Sequence, residues 1–157
     1  MVDIDPDDDG YDLRVGPPTV EEFQRLRALA DMAERPPEGV ERGLPNSVYA
    51  VRVVDTDRDP GSVPVADASV DDGEVVGMAR VVGDGGSVYH VCDMAVHPAH
   101  QRRGLGTRLM RAVDRFVDDH APSGAYVNLM GDVDGFYERF GYEETRPASK
   151  GMYRRVE

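Results

Sequence analysis

The sequence predicts an α+β (α/β-like) fold in which a mixed, mostly antiparallel sheet carries helices on both faces. Three strand-like stretches, 47–54, 74–82 and 87–96, follow one another with turn residues between them, which predicts an antiparallel meander. Apolar residues then recur at helical spacing over 105–120, and another strand-like stretch follows at 125–130. Strands that alternate with a long helix in this order indicate a sheet covered by helices.

Shorter signals complete the predicted domain. Thr19 opens a capping box, Thr-Val-Glu-Glu, which predicts a helix from there to about Glu34. Residues 55–72 are rich in Asp, Pro, Gly and Ser and predict a long acidic loop. The remaining predicted elements are a strand at 11–15, an irregular or helical piece up to Pro45, a short helix at 134–140 closed by Gly141, and a last strand at 152–156.

Length and composition restrict the class of protein. With 40% hydrophobic residues, the chain 1–157 has the size of one soluble domain with an acidic, flexible tail at 1–10. It has no apolar run near the roughly 20 residues of a membrane span, no signal-peptide pattern and a single cysteine, Cys92. We therefore expect a cytoplasmic protein with no membrane partner and no internal disulfide.

The charge balance argues against a nucleic-acid partner. The chain has 30 acidic residues against 18 basic ones, so its formal net charge is −12 and a polyanion would be repelled. Twenty of the acids are Asp, and Lys150 is the single lysine among the 18 bases. This bias is typical of a halophilic protein, whose carboxylate surface keeps it soluble where salt screens ordinary charge repulsion.

The turn between the strand at 87–96 and the helix at 105–120 has an anion-binding pattern, Gln101-Arg-Arg-Gly-Leu-Gly106. Its glycines let the backbone approach a ligand, and free N–H groups at the start of the helix attract negative charge. Residues 101–115 contain five arginines against one aspartate, a local balance of +4 that suits several phosphates. The alternative is a turn that only connects a strand to a helix.

Two ordered motifs resemble a known family. Asp93-Met-Ala-Val-His-Pro98, together with the turn at 101–106, resembles the acyl-CoA-binding motif of the GNAT N-acyltransferase superfamily. Phe136-Tyr-Glu-Arg-Phe-Gly-Tyr142 is similar to the Phe-Tyr-x-x-x-Gly-Phe/Tyr motif of the same superfamily. The similarity covers about residues 88–142, and one departure is Met130, where many members have an asparagine.

The resemblance implies the GNAT fold, with the sheet splayed into a V between the fourth and fifth strands and acetyl-CoA, the co-substrate, in the gap. It implies that pantetheine lies along the fourth strand and that a backbone N–H near Val96 stabilises the oxyanion. The cofactor-binding residues implied in this way are Met94, Ala95, Val96, Gln101, Arg102, Arg103, Gly104, Leu105, Gly106, Thr107 and Phe136.

The resemblance also implies two catalytic residues. Tyr137 matches the tyrosine that protonates or orients the departing thiolate. His90 lies where related enzymes carry a base, and an imidazole with a pKa near 6.5 suits proton transfer from an ammonium group. The alternative for His90 is a hydrogen-bonded structural histidine. Asp93 ranks lower because strict strand alternation places it on the opposite face from His90.

Three further patterns receive simpler interpretations. Cys92 shares a face with His90, which allows an acetyl-cysteine route, but a buried free cysteine is the commoner case. The set His90, Cys92, His97 and His100 matches no standard zinc spacing. Asp5-Pro-Asp-Asp-Asp-Gly10 imitates a calcium loop, but Gly16 stands where the glutamate ligand is needed. We therefore expect no metal.

These observations together predict an enzyme that transfers an acetyl group from acetyl-CoA to a primary amine of a small molecule, directly within a ternary complex. The alternatives are a protein or peptide N-acetyltransferase, and a non-catalytic acyl-CoA-binding or regulatory module on the same fold. A homodimer is compatible with the resemblance. The resemblance assigns the choice of acceptor to the first helices, the loop near 35–46 and the segment 150–154.

The salt-adaptation hypothesis predicts that the melting temperature rises as KCl is added up to molar concentrations. Repulsion within a chain of net charge −12 destabilises the folded state. Salt weakens this repulsion, since the Debye length falls from about 10 Å at 0.1 M to about 3 Å at 1 M. Calorimetry across a KCl series measures the effect, and a flat or falling melting temperature would contradict the hypothesis.

Overall fold

The computed structural model describes residues 10–56 and 73–157, so nearly all of the acidic tail and most of the acidic loop lie outside the described residues. The strands are β1 (Tyr11–Val15), β2 (Tyr49–Asp55), β3 (Glu74–Gly83), β4 (Val88–Val96) and β5 (Tyr126–Leu129). The helices are α1 (Val20–Leu29), α2 (Pro37–Gly43) and α3 (Leu105–His120), with 3₁₀ turns at Leu44–Asn46, Pro98–His100 and Tyr137–Phe140.

The five strands form one sheet in the order β1-β2-β3-β4-β5. The first four pair antiparallel, as the meander prediction requires, and β5 pairs parallel to β4 after the crossover through α3. The parallel pairing runs from Val88, opposite Tyr126, to Val91, opposite Leu129. Because β5 ends at Leu129, β4 has no partner in β5 from Cys92 onward and its second edge is open there. The predicted mixed, mostly antiparallel sheet is confirmed.

Helices cover both faces of the sheet. On one side, here called the α3 face, buried residues of α3 pack on the central strands: Leu105, Leu109, Met110 and Val113 against Val51, Val53, Val76, Val81, Tyr89 and Val91. On the opposite side, the α1 face, the first two helices pack on the sheet through Phe23, Leu26, Val40, Leu44, Val54, Val75, Met78 and Ala95. Hydrophobic residues therefore cover the sheet on both faces. The end of β4 that has no partner in β5 lies between these two helical layers.

A β-bulge interrupts β4 between Cys92 and Ala95, next to the predicted site residues. Cys92 lies opposite Arg80, whereas Ala95 lies opposite Met78, so β4 has one extra residue at this point. Asp93 adopts the left-handed conformation, with φ of +55°, which is uncommon outside glycine. The bulge shifts the side-chain alternation by one position, so residues after it do not follow the simple period of two.

Two predicted helices are shorter in the structure. The first helix ends at Leu29 rather than near Glu34 because the chain turns back and the Arg27 guanidinium binds the Ala33 carbonyl. The predicted helix at 134–140 is only the 3₁₀ turn Tyr137–Phe140, closed as expected by Gly141 with φ of +87°.

The predicted last strand at 152–156 is wrong. Its side chains are exposed, with 83% of the surface of Met152 and 86% of that of Tyr153 accessible. Residues 143–157 form no strand, and no neighbouring strand forms a ladder with them. An alternating sequence becomes a strand only where a partner satisfies its backbone and covers its side chains.

Candidate active site

The turn before α3 is open to a ligand. Gly104 is the N-cap residue with φ of +78°, and no side chain caps the helix. The first N–H groups of a helix have no partner within it, so they point toward the space in front of the turn. A Cβ atom on Gly104 would meet nothing within 4 Å. The geometry therefore fits the anion site that the sequence predicts.

Side chains connect this turn to the sheet. The Gln101 side chain donates to the Val96 carbonyl at 3.2 Å, which joins the turn to the end of β4. Arg103 donates to the Tyr11 hydroxyl at 2.7 Å, and that hydroxyl is also 2.7 Å from Nδ1 of His100. Gln101, Arg102 and Arg103 are otherwise exposed, so their polar groups border the open space.

The second motif packs on the first turn of α3. Phe136 covers Gly106, where an added Cβ would lie 3.5 Å from the ring. Arg139 donates to the Thr107 hydroxyl at 3.2 Å and lies over the Phe136 ring at 5.2 Å. The two motifs that suggested the family are therefore neighbours in space, and Phe136 forms a wall beside the glycine turn that precedes α3.

Tyr137 is positioned by packing. Its ring lies against Gly131, where a Cβ would approach the ring to 3.0 Å, so only glycine fits there without movement. Burial raises the pKa of the Tyr137 hydroxyl, and the charge of Asp132 raises it further. The hydroxyl therefore stays protonated at neutral and mildly alkaline pH, as a proton donor must. It lines an open cavity of about 560 Å³ together with Asn128 of β5.

His90 lies on the α1 face, because it alternates with Tyr89 and Val91 of the α3-face core. Its Nδ1 is 2.5 Å from Oδ1 of Asn128, its register partner in β5. When the amide oxygen accepts the hydrogen from Nδ1, the Nε2 atom keeps its lone pair and can accept a proton. The sequence did not single out Asn128, because its contact with His90 depends on the register between β4 and β5.

Asp93 lies on the same face as His90, so the predicted opposite placement is wrong. The bulge turns its carboxylate toward α1, where one oxygen accepts from Arg27 at 2.7 Å and the other from Arg80 at 2.9 Å. The side chains of Arg27 and Asp93 are only 3% and 5% exposed. With both oxygens engaged in buried ion pairs, Asp93 serves the structure and is not placed to act as a base.

Cys92 is not a nucleophile near neutral pH. Burial raises the pKa of its thiol to about 12, and the negative charge of Asp93 contributes to the shift. The thiolate is the reactive form of cysteine, so a protonated, largely buried thiol disfavours an acetyl-cysteine intermediate. Cys92 is half-buried rather than fully buried, and its free thiol fits the simpler interpretation of an unreactive cysteine.

The cofactor-binding residues predicted on β4 divide between the two faces. Met94 and Val96 pack on the α3-face core, as do Phe136 and Tyr137. Ala95 is buried on the α1 face, so its side chain is turned away from them. Leu105 is also buried in the core and can contribute only its backbone N–H to the turn.

The other histidines of the zinc-like pattern have structural contacts. Nδ1 of His97 accepts from the Ala99 backbone at 3.0 Å, and the His97 and His100 rings meet edge to face. Within 10–56 and 73–157, no group of three or more His, Cys, Asp or Glu side chains could hold a metal ion. No helix in those ranges is long and apolar enough to cross a membrane.

The buried ion pair predicts a large effect of Asp93→Asn. The substitution keeps the shape of the side chain but leaves the Arg27 charge without its buried partner, so the free energy of unfolding should fall by about 3–5 kcal/mol. Asp12→Asn is a matched control, because Asp12 and Arg14 form a 2.9 Å pair that is far more exposed. It should cost less than about 1 kcal/mol in urea unfolding, and equal losses would contradict the structural role.

Comparison with known proteins agrees with this geometry. A family model described as acetyltransferase (GNAT) domain matches residues 63–144. A mycothiol acetyltransferase of Amycolatopsis mediterranei is 48% identical over 62 residues, which cover 39% of this chain and 19% of that protein. The match thus spans about a fifth of the length of that relative.

Two solved structures extend the comparison to most of the chain. A protein of unknown function from meticillin-resistant Staphylococcus aureus is 30% identical, with a TM-score of 0.79 over 93% of this chain and 99% of that one. A GNAT-family acetyltransferase from Brucella melitensis, solved in complex with acetyl-CoA, is 21% identical, with a TM-score of 0.57 over 85% and 82% of the two chains. The chain belongs to the family of GNAT acetyltransferase domains.

Proposed function

We propose that this chain transfers the acetyl group of acetyl-CoA to a primary amine of a small molecule, directly within a ternary complex. One observation carries the proposal: an open, glycine-led helix start and two groups suited to proton transfer border the separated ends of β4 and β5. Membership of the acetyltransferase family supports the reaction class. The Brucella relative, which binds acetyl-CoA, supports the donor.

The donor is assigned to the turn and the α3 face. Backbone N–H groups of Leu105, Gly106 and Thr107 would hold the pyrophosphate, with Arg102 and Arg103 supplying charge. Pantetheine would follow β4 along Met94–Val96, whose second edge is left open where β5 departs. A backbone N–H near Val96 would stabilise the oxyanion of the tetrahedral intermediate.

The acceptor is assigned to the opposite side of the gap, where His90 lies. The ammonium group loses a proton to Nε2 of His90, and the free amine then attacks the thioester carbon. A C–N bond forms and the C–S bond breaks. The departing thiolate takes a proton from Tyr137, the second proton on nitrogen passes to solvent, and the proton held by His90 returns through water to Tyr137. The products are the acetylated amine and the free thiol of CoA.

Two alternatives remain testable beside the leading proposal. A peptide amine could occupy the acceptor side, and a non-catalytic module could bind the donor without turnover. The combination of a paired imidazole and a protonated tyrosine favours catalysis, because a module that only binds requires neither group. Release of free thiol from acetyl-CoA in a panel of amines and peptides distinguishes the three cases.

The anion site predicts that Gly104→Asp greatly weakens acetyl-CoA binding. A carboxylate in the open space before the helix would repel the pyrophosphate, whereas Gly104→Asn has nearly the same shape and no charge. Gly124→Asp controls for backbone strain, since Gly124 also has positive φ and open space around it. Calorimetry should show affinity lost mostly in Gly104→Asp. Unchanged affinity in a folded Gly104→Asp protein would contradict the assignment.

The proton-transfer roles predict distinct kinetic effects. His90→Ala should lower turnover by about 10²-fold or more near neutral pH, with partial recovery at high pH as free amine accumulates. Tyr137→Phe should lower turnover more than donor affinity, because it removes a proton donor and keeps the ring. His120→Ala, at the exposed end of α3, is the matched histidine control.

The pH profile provides a second measurement of the tyrosine role. The pKa of Tyr137 is raised above the ordinary value of 10.0, so its hydroxyl still carries the proton at pH 10. Wild-type turnover should therefore decline only above that pH. Tyr137→Phe should lack this alkaline decline. A wild-type rate and profile in His90→Ala would remove the base assignment, and an unchanged rate in Tyr137→Phe would remove the acid assignment.

A further inference from the structure

Two arginines bind one carboxylate on the α1 face, and a third arginine lies near the first of them. Arg27 and Arg80 are both engaged by Asp93. Burial lowers the pKa of the Arg27 guanidinium most, and Asp93 opposes this effect. The charge of the nearby Arg35 lowers the pKa further. The cluster therefore carries three positive charges against one negative charge.

Arg35 has unused hydrogen-bonding capacity. Its Nη1 is buried and has no hydrogen-bond partner within the described ranges 10–56 and 73–157. A buried donor without a partner is costly, and more so when it belongs to a charged group. The guanidinium fork is well shaped to bind a carboxylate or phosphate through two parallel N–H groups.

The loop that carries Arg35 is held in place. The backbone carbonyl of Arg35 accepts a hydrogen bond from the Gln24 side chain of α1 at 2.8 Å. Pro36 and Pro37 follow it directly, and proline rings restrict the backbone on both sides of the turn into α2. A fixed loop can present a guanidinium to a ligand with little loss of conformational entropy.

The cluster lies on the acceptor side of the proposed site. Arg27 of α1 binds Asp93, which follows Cys92 in β4, and the Gln24 contact holds the Arg35 loop against the same helix. Cys92 and His90 share the α1 face of β4, and β5 leaves β4 at this level. The anion-binding turn, by contrast, lies at the start of α3 on the other side of the sheet. An anion at Arg35 would therefore belong to the acceptor rather than to the donor.

We propose that Arg35 binds an acidic oxygen group of the acceptor, so that the substrate is a small amine that also carries a carboxylate or a phosphate. The inference rests on the proposed acetyl transfer and identifies the substrate class of that same site. Arg35 is a specificity-determining residue in this proposal: it positions the acceptor, and His90 accepts the proton.

Matched sets of acceptors test the proposal by thiol release. One set contains an amino acid, its carboxamide and the amine without the carboxyl group; the other contains an aminoalkyl phosphate and its amino alcohol. The wild-type enzyme should prefer an acidic member by about 10-fold or more in kcat/KM, mainly through KM. Preference within the first set indicates a carboxylate, and preference within the second set indicates a phosphate.

Variants identify the residue responsible. Arg35→Gln should remove most of the preference, Arg35→Lys should retain part of it, and acetyl-CoA affinity should be unchanged in both. Arg42→Gln removes the same charge from an exposed position on α2 and should leave the preference intact. Equal kcat/KM for acidic and neutral members in the wild type would overturn the proposal, as would weakened donor binding in Arg35→Gln.

Binding measurements separate this proposal from the proposed reaction. Calorimetry of the same compounds in the presence of CoA reports acceptor affinity even without turnover. If no amine releases thiol, but acidic amines still bind more tightly than neutral ones and Arg35→Gln removes that difference, the acetyltransferase proposal fails and the role of Arg35 stands. Equal affinity for acidic and neutral members would contradict the role of Arg35, whether or not turnover occurs.

Discussion

The carboxylate of Asp93 ties the first helix to the two central strands of the sheet. It lies at the bulge of β4 and binds Arg27 of α1 and Arg80 of β3 within the protein interior. Its backbone has a positive φ that a non-glycine residue rarely adopts, and two buried ion pairs offset the cost. The position of the first helix over the sheet therefore depends on the same residue that sets the local path of β4.

The bulge determines which groups face each side of the gap between β4 and β5. Before it, His90 lies on the α1 face; after it, Met94 and Val96 pack on the α3 face. A regular strand would have kept one alternation throughout and placed Met94 on the face of His90. The bulge thus places His90, the proposed proton acceptor, on one side and the strand segment assigned to the donor on the other.

The sequence predicted the features that local rules determine. The bounds of α3 agree to the residue, because a glycine turn precedes it and its apolar period is strong, and the capping box at Thr19 forms as expected. The face of Asp93 could not be predicted, since the bulge depends on the register with β3. The contact between His90 and Asn128 depends likewise on the pairing of β4 with β5, and the failed strand at 152–156 lacks the partner that its pattern requires.

Two local concentrations of positive charge stand out in a chain of net charge −12. One surrounds the turn before α3, and the other consists of Arg27 and Arg80, with Asp93 between them, and of the neighbouring Arg35. A carboxylate-rich surface lowers the local concentration of anionic substrates, so a site for an anion needs compensating charge nearby. Salt screens exposed charges far more than buried ones; Arg27 and Asp93 are buried, and Arg35 and Arg80 are half-buried. Salt would therefore weaken the contact proposed between Arg35 and an acidic acceptor less than it weakens the field of the surface.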